Sequence, residues 1–295
     1  MTQIGLGLCR AIRYVCATMA QSTQSGKSPA ASTYHASDGG AYDKFLGRWT
    51  RELAPRFLDF ATFSDEGPIL DIGTGTGSLA FAMAARWPSR SILGIDVAEP
   101  YIAHARAQFK ENRPQFEIGD ATALPYDDGT FAGTAAQLVL NFVPNALAAM
   151  NEMRRVTWSS GTIAAAVWDF RGGLVYQRLF WDTAAGIDPK AGDARDRLFS
   201  SKLALPEGLR NLFRAAGLNE VQQGSLTIRM KYACFDDYWQ PLLGGQGPVG
   251  TYVALLGADV RLKIEDAVRR AYCSGSPDGE RSLTATAWAV RGTAP

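Results

Sequence analysis

A change of hydrophobic pattern between residues 68 and 87 limits what this chain can fold into more than any other feature. A short apolar run, PILDI at 68–72, leads into the glycine-rich segment DIGTGTG at 71–77, and apolar side chains then follow at helical spacing over 79–87. This order predicts a buried strand, a tight turn and a helix. Glycines let the backbone approach a ligand closely, and the start of a helix presents unpaired N–H groups. The segment therefore indicates a ligand-binding loop at the end of a strand.

The alternation of strands and helices continues along the chain. Further strands are predicted at 91–96, 115–118, 133–140, 162–168, 218–230 and 282–291, with helices at 42–62, 99–110, 144–157 and 203–216. Such alternation favours right-handed crossovers and a parallel sheet with helices on both faces. The stretches 169–202 and 231–281 exceed the roughly 2–6 residues that these connections need, so we expect caps, lids or dimer contacts there.

The overall composition excludes several classes of protein. The 30 Lys+Arg and 29 Asp+Glu leave a net charge of +1, which is not the basic excess typical of nucleic-acid binding, so we expect no nucleic-acid partner. No run approaches the roughly 18 apolar residues that cross a bilayer. The 4 cysteines and 2 histidines form no zinc pattern. We therefore predict no metal site, free thiols and a reducing, cytoplasmic location.

Residues 1–33 differ from the rest of the chain. Three basic residues precede the first acid, Asp38, and small polar residues dominate the second half of this stretch. We predict a disordered extension, with a targeting peptide and an organellar location as the alternative. The folded domain is then expected over 34–295, with the two insertions as its caps.

Three acids are predicted to converge on the glycine loop. Asp71 precedes the first glycine by two residues, Asp96 ends the second strand and Asp120 ends the third. The carboxyl ends of parallel strands share one rim, where ligands bind. A dinucleotide would bring an anionic pyrophosphate beside Asp71, and its usual glycine pattern is broken at Ser78. S-adenosylmethionine has no phosphate and carries an ammonium and a sulfonium, so the acidic rim favours that ligand.

Four segments together resemble class I S-adenosylmethionine-dependent methyltransferases: DIGTGTG at 71–77, ILGID at 92–96, GDATALPYDDGTF at 119–131 and LVLNFVPNALAAMNEMRRV at 138–156. The resemblance implies an α/β fold with a Rossmann-like, seven-stranded doubly wound sheet. That sheet would be mostly parallel with an antiparallel last strand, and helical cap insertions would be added to it. YDKFLGRWTRELA at 42–54 and WDF at 168–170 are similar to a bacterial subgroup of methyltransferase-domain proteins of unassigned substrate.

The resemblance also implies a set of cofactor-binding residues. The methionine end of S-adenosylmethionine would meet Asp71, Gly73, Thr74, Gly75, Gln137 and Arg48. The ribose diol would meet Asp96, and the adenine would meet Val97, Asp120 and Ala121.

No catalytic triad is evident, because methyl transfer from a sulfonium mainly requires alignment of donor and acceptor and exclusion of water. Where the acceptor needs a base, the candidates are His35, Tyr42 and Asp169. Residues predicted to face the acceptor are Asn141 and Trp168, which follow strand ends, and Trp239, which lies in an aromatic stretch broken by Gly and Pro.

The sequence thus predicts a methyltransferase of EC class 2.1.1 that acts on a small-molecule acceptor as a monomer or homodimer. Two alternatives stay open. One is a non-catalytic S-adenosylmethionine-binding or assembly protein, because binding residues do not prove turnover. The other is an NAD-dependent oxidoreductase, against which Asp71 and Ser78 argue.

Overall fold

The fold is taken from a computed structural model, which describes Tyr34 and residues 36–108 and 114–295. The chain divides into two units, Met1–Ala30 and Ala31–Pro295, and every described residue belongs to the second unit. The predicted extension at 1–33 and the candidate base His35 lie outside the described residues.

Seven strands form one sheet in the order β3-β2-β1-β4-β5-β7-β6. Their bounds are β1 Ile69–Ile72, β2 Ile92–Asp96, β3 Gln115–Ile118, β4 Phe131–Gln137, β5 Thr157–Trp168, β6 Asn219–Tyr232 and β7 Arg281–Thr293. Strands β1 to β5 pair in parallel, and β7 is antiparallel to both of its neighbours. The predicted fold class is confirmed. The strand order reverses beside β1, which places a ligand crevice at its carboxyl end.

Helices cover both faces of the sheet. They are α1 Gly39–Tyr42, a π-helical turn Asp43–Gly47, α2 Arg48–Ala61, α3 Ser78–Arg86, α4 Glu99–Ala107, α5 Ala146–Val156, α6 Val175–Ala185, α7 Pro189–Phe199, α8 Gly208–Ala215, α9 Phe235–Trp239, α10 Gly247–Ala254 and α11 Ala258–Cys273. Short 3₁₀ turns lie at Leu140–Phe142, Lys202–Ala204 and Gln240–Gly244. The two long insertions therefore contain α6–α7 and α9–α11.

The strands divide their side chains between two apolar layers. In β5, Ile163 and Val167 face one layer, while Ala164 and Trp168 face the other, as the alternation of a strand requires. The layer that contains Trp168 also contains aromatic side chains of both insertions, namely Phe180, Trp181, Phe235 and Trp239. The insertions are therefore packed into the core of the sheet.

The largest differences from the predicted strand boundaries are at the start of β5 and the end of β4. Strand β5 begins at Thr157 rather than at 162, and its first residues, from Trp158 to Ser160, are exposed. Because this extension buries little apolar surface, it carries no hydrophobic pattern for the sequence to reveal. Strand β4 ends at Gln137 rather than at 140, because Leu138 has a left-handed backbone with φ of 66°.

Two findings, on membrane-spanning helices and on metal ligands, hold only for the part of the chain that the structure describes. Within it, no helix combines the length and apolar character needed to cross a membrane. Within the same ranges, no three His, Cys, Asp or Glu side chains gather as metal ligands would. Cys234 and Cys273 are free thiols.

Arg90 closes the loop that leads into β1. Its side chain is 5% exposed, and its guanidinium donates hydrogen bonds to the carbonyl oxygens of Ser64, Glu66 and Gly67. Burial lowers the pKa of this guanidinium from its ordinary value. One side chain thus satisfies three backbone acceptors and sets where β1 begins.

We expect Arg90→Gln to lower the free energy of unfolding by about 2–3 kcal/mol, because buried carbonyls lose a charged donor. Urea denaturation of the ligand-free protein measures this. Arg86→Gln is the matched control, since Arg86 pairs with the exposed Asp59 and such pairs contribute about 0–1 kcal/mol. Equal losses in the two variants would contradict the role given to Arg90.

Candidate cofactor site and acceptor cavity

The glycine loop has one side packed against protein and one side open. Gly73 and Gly75 both have left-handed backbones, with φ of 64° and 56°. A Cβ at Gly73 would overlap the side chain of Val139. A Cβ at Gly75 would meet only Tyr101 Cδ2 at 3.9 Å. Gly73 is therefore required by packing, while Gly75 leaves room for a ligand.

Asp96 fastens the loop to the end of β2. Its Oδ2 accepts a hydrogen bond from the Gly75 N–H at 2.9 Å, and its Oδ1 accepts one from the Ala98 N–H at 2.9 Å. Burial raises the pKa of this carboxyl, although the hydrogen bonds oppose the rise. Each oxygen keeps a further lone pair for a ligand hydroxyl. The position fits the predicted role at the ribose.

Asp71 is a buried acid with an unsatisfied oxygen. It is 1% exposed, its Oδ2 accepts a hydrogen bond from Thr74 Oγ1 at 2.7 Å, and its Oδ1 has no partner among the described residues. Burial raises its pKa to about 7, against hydrogen bonds from Thr74 and the Ala80 N–H, and the charge of Asp96 raises it further. A buried carboxylate of this kind is costly unless a cation accompanies it. The residues present therefore fit a ligand that brings positive charge.

The residues predicted at the adenine lie partly exposed beyond the ends of β2 and β3. Asp120 Oδ1 accepts hydrogen bonds from the N–H and the O–H of Thr122, each at 2.8 Å. Val97 is 37% exposed, and Ala121 is half-buried. Their exposure leaves a face open for an adenine ring.

The N-terminal helical segment is bonded directly to the glycine loop. Asp43 accepts a hydrogen bond from Thr76 Oγ1 at 2.7 Å, and its other oxygen lies 3.2 Å from both Arg51 Nη1 and His104 Nε2. Asp43 was not among the residues predicted from the sequence. The available signal was its position directly after Tyr42, in the helix predicted at 42–62.

A second link joins this segment to the loop and to β4. Thr50 Oγ1 lies 2.9 Å from Ser78 Oγ, and Gln137 Nε2 donates to the Thr50 carbonyl at 3.1 Å. Gln137 Oε1 is buried without a partner among the described residues. Gln137 therefore lies against the N-terminal helix with one oxygen still available.

Arg48 has a different partner from the predicted methionine carboxylate. Its guanidinium donates to Asp237 Oδ1 at 2.9 Å and lies 4.3 Å from the Trp49 ring centroid. Asp237 belongs to α9 in the second insertion, so only the folded chain brings the two together. The contact of Arg48 with a methionine carboxylate stays a prediction.

Three tyrosines from separate segments cluster beside Gly75. The rings of Tyr42 and Tyr101 are 5.1 Å apart, and Tyr101 Oη donates to Gln246 Oε1 at 2.9 Å. Burial raises the pKa of Tyr34, Tyr42 and Tyr101 above the ordinary value of 10.0. Burial therefore favours the protonated form of these hydroxyls, and the role of Tyr42 as a base stays a prediction. Sequence carried no signal for Tyr34 or Gln246, which are distant along the chain.

A cavity of about 1100 Å³ lies between the two insertions and the 3₁₀ turn after β4. Residues that line it include Tyr34, Asn141, Phe142, Phe170, Trp181 and Tyr252. Asn141 Oδ1 and Trp181 Nε1 are buried without hydrogen-bond partners among the described residues. The prediction that Asn141 faces an acceptor site agrees with this position.

Other predicted acceptor or base residues lie elsewhere. Trp168 and Trp239 are 3% and 0% exposed and belong to the core, where Trp239 stacks on Phe235 with ring centroids 5.8 Å apart. Neither lines the cavity, because Trp168 packs in the core at the end of β5 and Trp239 packs against aromatic side chains of the two insertions. Asp169 Oδ1 accepts the Gly172 N–H at 2.9 Å, so it caps a turn. None of these three side chains lines the cavity, and their roles at the acceptor stay predictions.

Fold and site together define a Rossmann-like protein whose acidic crevice accepts a cationic ligand and opens beside a larger cavity. A family described as methyltransferase domain matches residues 69–161. The demethylmenaquinone methyltransferase of Roseiflexus castenholzii is 31% identical over 168 residues, which is 52% of this chain and 69% of the relative. The malonyl-[acyl-carrier protein] O-methyltransferase of Geobacter sulfurreducens is 28% identical, over 56% of this chain and 60% of that protein.

Solved structures agree on the fold. Haemonchus contortus phosphoethanolamine N-methyltransferase 2, in complex with S-adenosyl-L-methionine, gives a TM-score of 0.53 at 12% identity, covering 87% of this chain and 56% of that one. The YcgJ protein of Bacillus subtilis gives 0.50 at 18% identity, covering 82% and 97%.

The chain belongs to the class I S-adenosylmethionine-dependent methyltransferases. It is an enzyme that uses S-adenosylmethionine to methylate a small-molecule acceptor. The alternatives of an NAD-dependent oxidoreductase and of a non-catalytic binding protein are set aside on this ground.

We expect Gly75→Ala to weaken S-adenosylmethionine binding at least about tenfold, because the new methyl group enters the open side of the loop. Calorimetric titration measures this. Gly129→Ala is the matched control: Gly129 has φ of 57° and similar free space, so it incurs the same backbone strain in an exposed turn. Equal binding by both variants would contradict the assignment of the open side to the ligand.

We expect Asp71→Asn to change how two quantities depend on pH: the free energy of unfolding and the affinity for S-adenosylmethionine. Because the folded-state pKa of about 7 exceeds the ordinary 3.8, the folded protein holds this proton between those values while the unfolded chain releases it. The contribution of Asp71 to stability therefore falls as pH rises through that window, by about 4 kcal/mol at most. The variant should melt above the wild type at pH 8 and approach it at pH 5.

Binding gives the second half of this prediction. Wild-type affinity for S-adenosylmethionine should rise from pH 5 to pH 8 as Asp71 ionises, whereas the variant should bind about 10- to 100-fold more weakly at pH 8. Asp127→Asn, in an exposed turn, serves as the charge control. A variant that keeps the wild-type pH profile would show that another group titrates.

Proposed function

We propose that the crevice at Asp71 and Gly75 holds S-adenosylmethionine and that the adjoining cavity holds the acceptor. One observation carries the proposal: Val139 packs on Gly73, and Asn141, two residues further on, lines the cavity. A single short turn thus connects the cofactor loop with the acceptor space. S-adenosylmethionine, when bound, supplies a methyl group activated by its sulfonium.

The residues of this chain align the reactants and exclude water. Asp71 offers a buried anionic oxygen to the cationic end of the cofactor, and Asp96 holds the loop that receives it. Asn141 offers an unpaired buried oxygen to the acceptor. The rings of Tyr34 and Phe142, whose centroids lie 4.9 Å apart, form an apolar wall of the cavity. Positioning of this kind accounts for much of the acceleration in a displacement reaction.

The acceptor is proposed to need no strong protein base. The carboxylates that line the cavity, Asp188 and Asp193, belong to the first insertion, whereas Asn141, Phe142 and Tyr34 form the wall nearest the glycine loop. The described part of that wall contains no carboxylate or imidazole. An acceptor that is already nucleophilic at neutral pH fits this environment best.

The named relatives supply the class of acceptor that suits the cavity. One relative methylates demethylmenaquinone and another a malonyl group on a carrier protein, by their names. Phe142, Phe170 and Trp181 give the cavity of this chain an apolar lining. We therefore propose an acceptor with a substantial apolar part, methylated on carbon or oxygen.

Two further proposals concern the setting of the enzyme. We propose that the enzyme acts as a monomer or a homodimer. The free thiols of Cys234 and Cys273 suit a reducing compartment such as the cytoplasm.

We expect Asp96→Asn to reduce S-adenosylmethionine affinity by about 10- to 100-fold, because an amide NH₂ would face a backbone N–H that now donates to a carboxylate oxygen. Calorimetry with S-adenosylmethionine measures this, with Asp127→Asn as the exposed control and NADH as the control ligand. Uptake of NADH without S-adenosylmethionine binding would overturn the proposed function. Release of S-adenosylhomocysteine during a screen of quinone precursors and acyl acids then identifies the acceptor.

A further inference from the structure

Three basic side chains line the cavity in the two insertions without ion-pair partners. Lys190 and Arg197 lie two turns apart on one face of α7, and Lys263 lies on α11 across the cavity. None of them lies within 4.0 Å of a carboxylate oxygen among the described residues. Other exposed basic side chains nearby, such as Arg195, do form ion pairs. These three side chains therefore bring unpaired positive charge together on the cavity.

The two acids of the cavity offset this charge only in part. Asp188 is the N-cap of α7, where it accepts the Lys190 N–H at 3.0 Å and the Tyr252 hydroxyl at 2.6 Å. The hydrogen bond from Tyr252 lowers the pKa of Asp188, so it stays ionised but is occupied by these donors. The nearby charge of Lys190 also lowers the pKa of Asp188. Asp188 and Asp193 thus oppose three cations with two carboxylates, which leaves an excess of positive charge on this side.

Part of the remaining lining is apolar and partly exposed. Leu198, Leu256 and Val260 line the cavity beside the basic groups, and Leu255, also in the lining, is 83% exposed. Exposed apolar side chains around a concave site mark contact with a ligand or partner. Deeper in the cavity, Trp181 is fully buried and its Nε1 has no described partner. The cavity therefore combines unmet polar groups inside, an apolar wall and a cationic rim.

We propose that the cavity binds an anionic amphiphile, with its apolar body along the wall and its carboxylate or phosphate at Lys190, Arg197 and Lys263. This inference rests on the proposed function, because it names the chemical class of the acceptor that the cavity holds. The anion and the unpaired cations satisfy each other, and the apolar body covers the exposed leucines. A neutral or cationic amphiphile leaves the basic groups unpaired.

The test is calorimetric titration of the full chain with four probes that share a ten-carbon alkyl chain: decanoate, decyl phosphate, decanol and decyltrimethylammonium. Each probe is used below the concentration at which it aggregates. The two anions should bind at least about tenfold more tightly than decanol, and the cation should bind most weakly. Raising the salt concentration should reduce the difference in affinity between the anionic probes and decanol, because salt screens exposed charges. Equal affinity for all four probes, or tighter binding of the cation, would overturn the proposal.

A double variant tests whether the basic side chains of the cavity cause the preference for anionic probes. Arg197→Gln with Lys263→Gln should weaken decanoate binding about tenfold and leave decanol binding unchanged. Arg261→Gln with Lys231→Gln is the matched control, since it removes the same types of charge from exposed positions that do not line the cavity. Equal loss of decanoate binding in both double variants would show a general charge effect and overturn the assigned site.

Two further measurements separate the possible outcomes. Co-sedimentation with phosphatidylglycerol vesicles, against phosphatidylcholine vesicles, tells whether the anion is presented by a lipid surface; binding that the Arg197/Lys263 double variant loses supports the same site. S-adenosylmethionine titration of each protein tests the proposed function separately. Intact S-adenosylmethionine binding with no preference for anionic probes or vesicles overturns this inference alone, whereas loss of S-adenosylmethionine binding in the wild type overturns the proposed function.

Discussion

The left-handed backbone of the glycine loop is the constraint on which the site depends. Gly73 must lack a side chain because Val139 packs against it, and Gly75 then presents its N–H to Asp96. The parallel pairing of β1 with β2 brings the ends of these strands together, so two acids distant in sequence approach one loop. Because Val139 directly precedes the turn that contains Asn141, the same packing also sets where the cavity proposed for the acceptor begins.

The glycine loop lies beside two acids whose ionised forms are electrostatically unfavourable in the folded protein. Asp71 is buried and Asp96 is half-buried, burial raises both pKa values, and the charge of Asp96 raises the pKa of Asp71 further. Buried like charges with an unsatisfied oxygen reduce the stability of the ligand-free protein, and functional sites commonly carry such a cost. A ligand with two positive centres offsets it. The free-energy cost of these two acids therefore indicates that the ligand of this site is positively charged.

The insertions act as part of the domain because their aromatic side chains share one core with the sheet. Trp239 and Trp181 are fully buried there, and Arg48 of the N-terminal helix pairs with Asp237 of the second insertion. The N-terminal helix in turn contacts the glycine loop through Asp43 and Thr76. The cofactor loop and the wall of the acceptor cavity are thus joined through packed elements, which suits a reaction that depends on alignment.

Sequence alone determined the sheet, the glycine loop and the acids at its rim, because hydrophobic periodicity and a strand–glycine–helix order are local signals. It predicted that Asp71 and Asp96 share a crevice, and the structure agrees. Only the tertiary structure decided the partner of Arg48, the burial of Trp168 and Trp239, and the gathering of Tyr34, Tyr101 and Gln246. Those contacts join segments up to two hundred residues apart, and the way separate elements pack leaves no pattern in the neighbouring sequence.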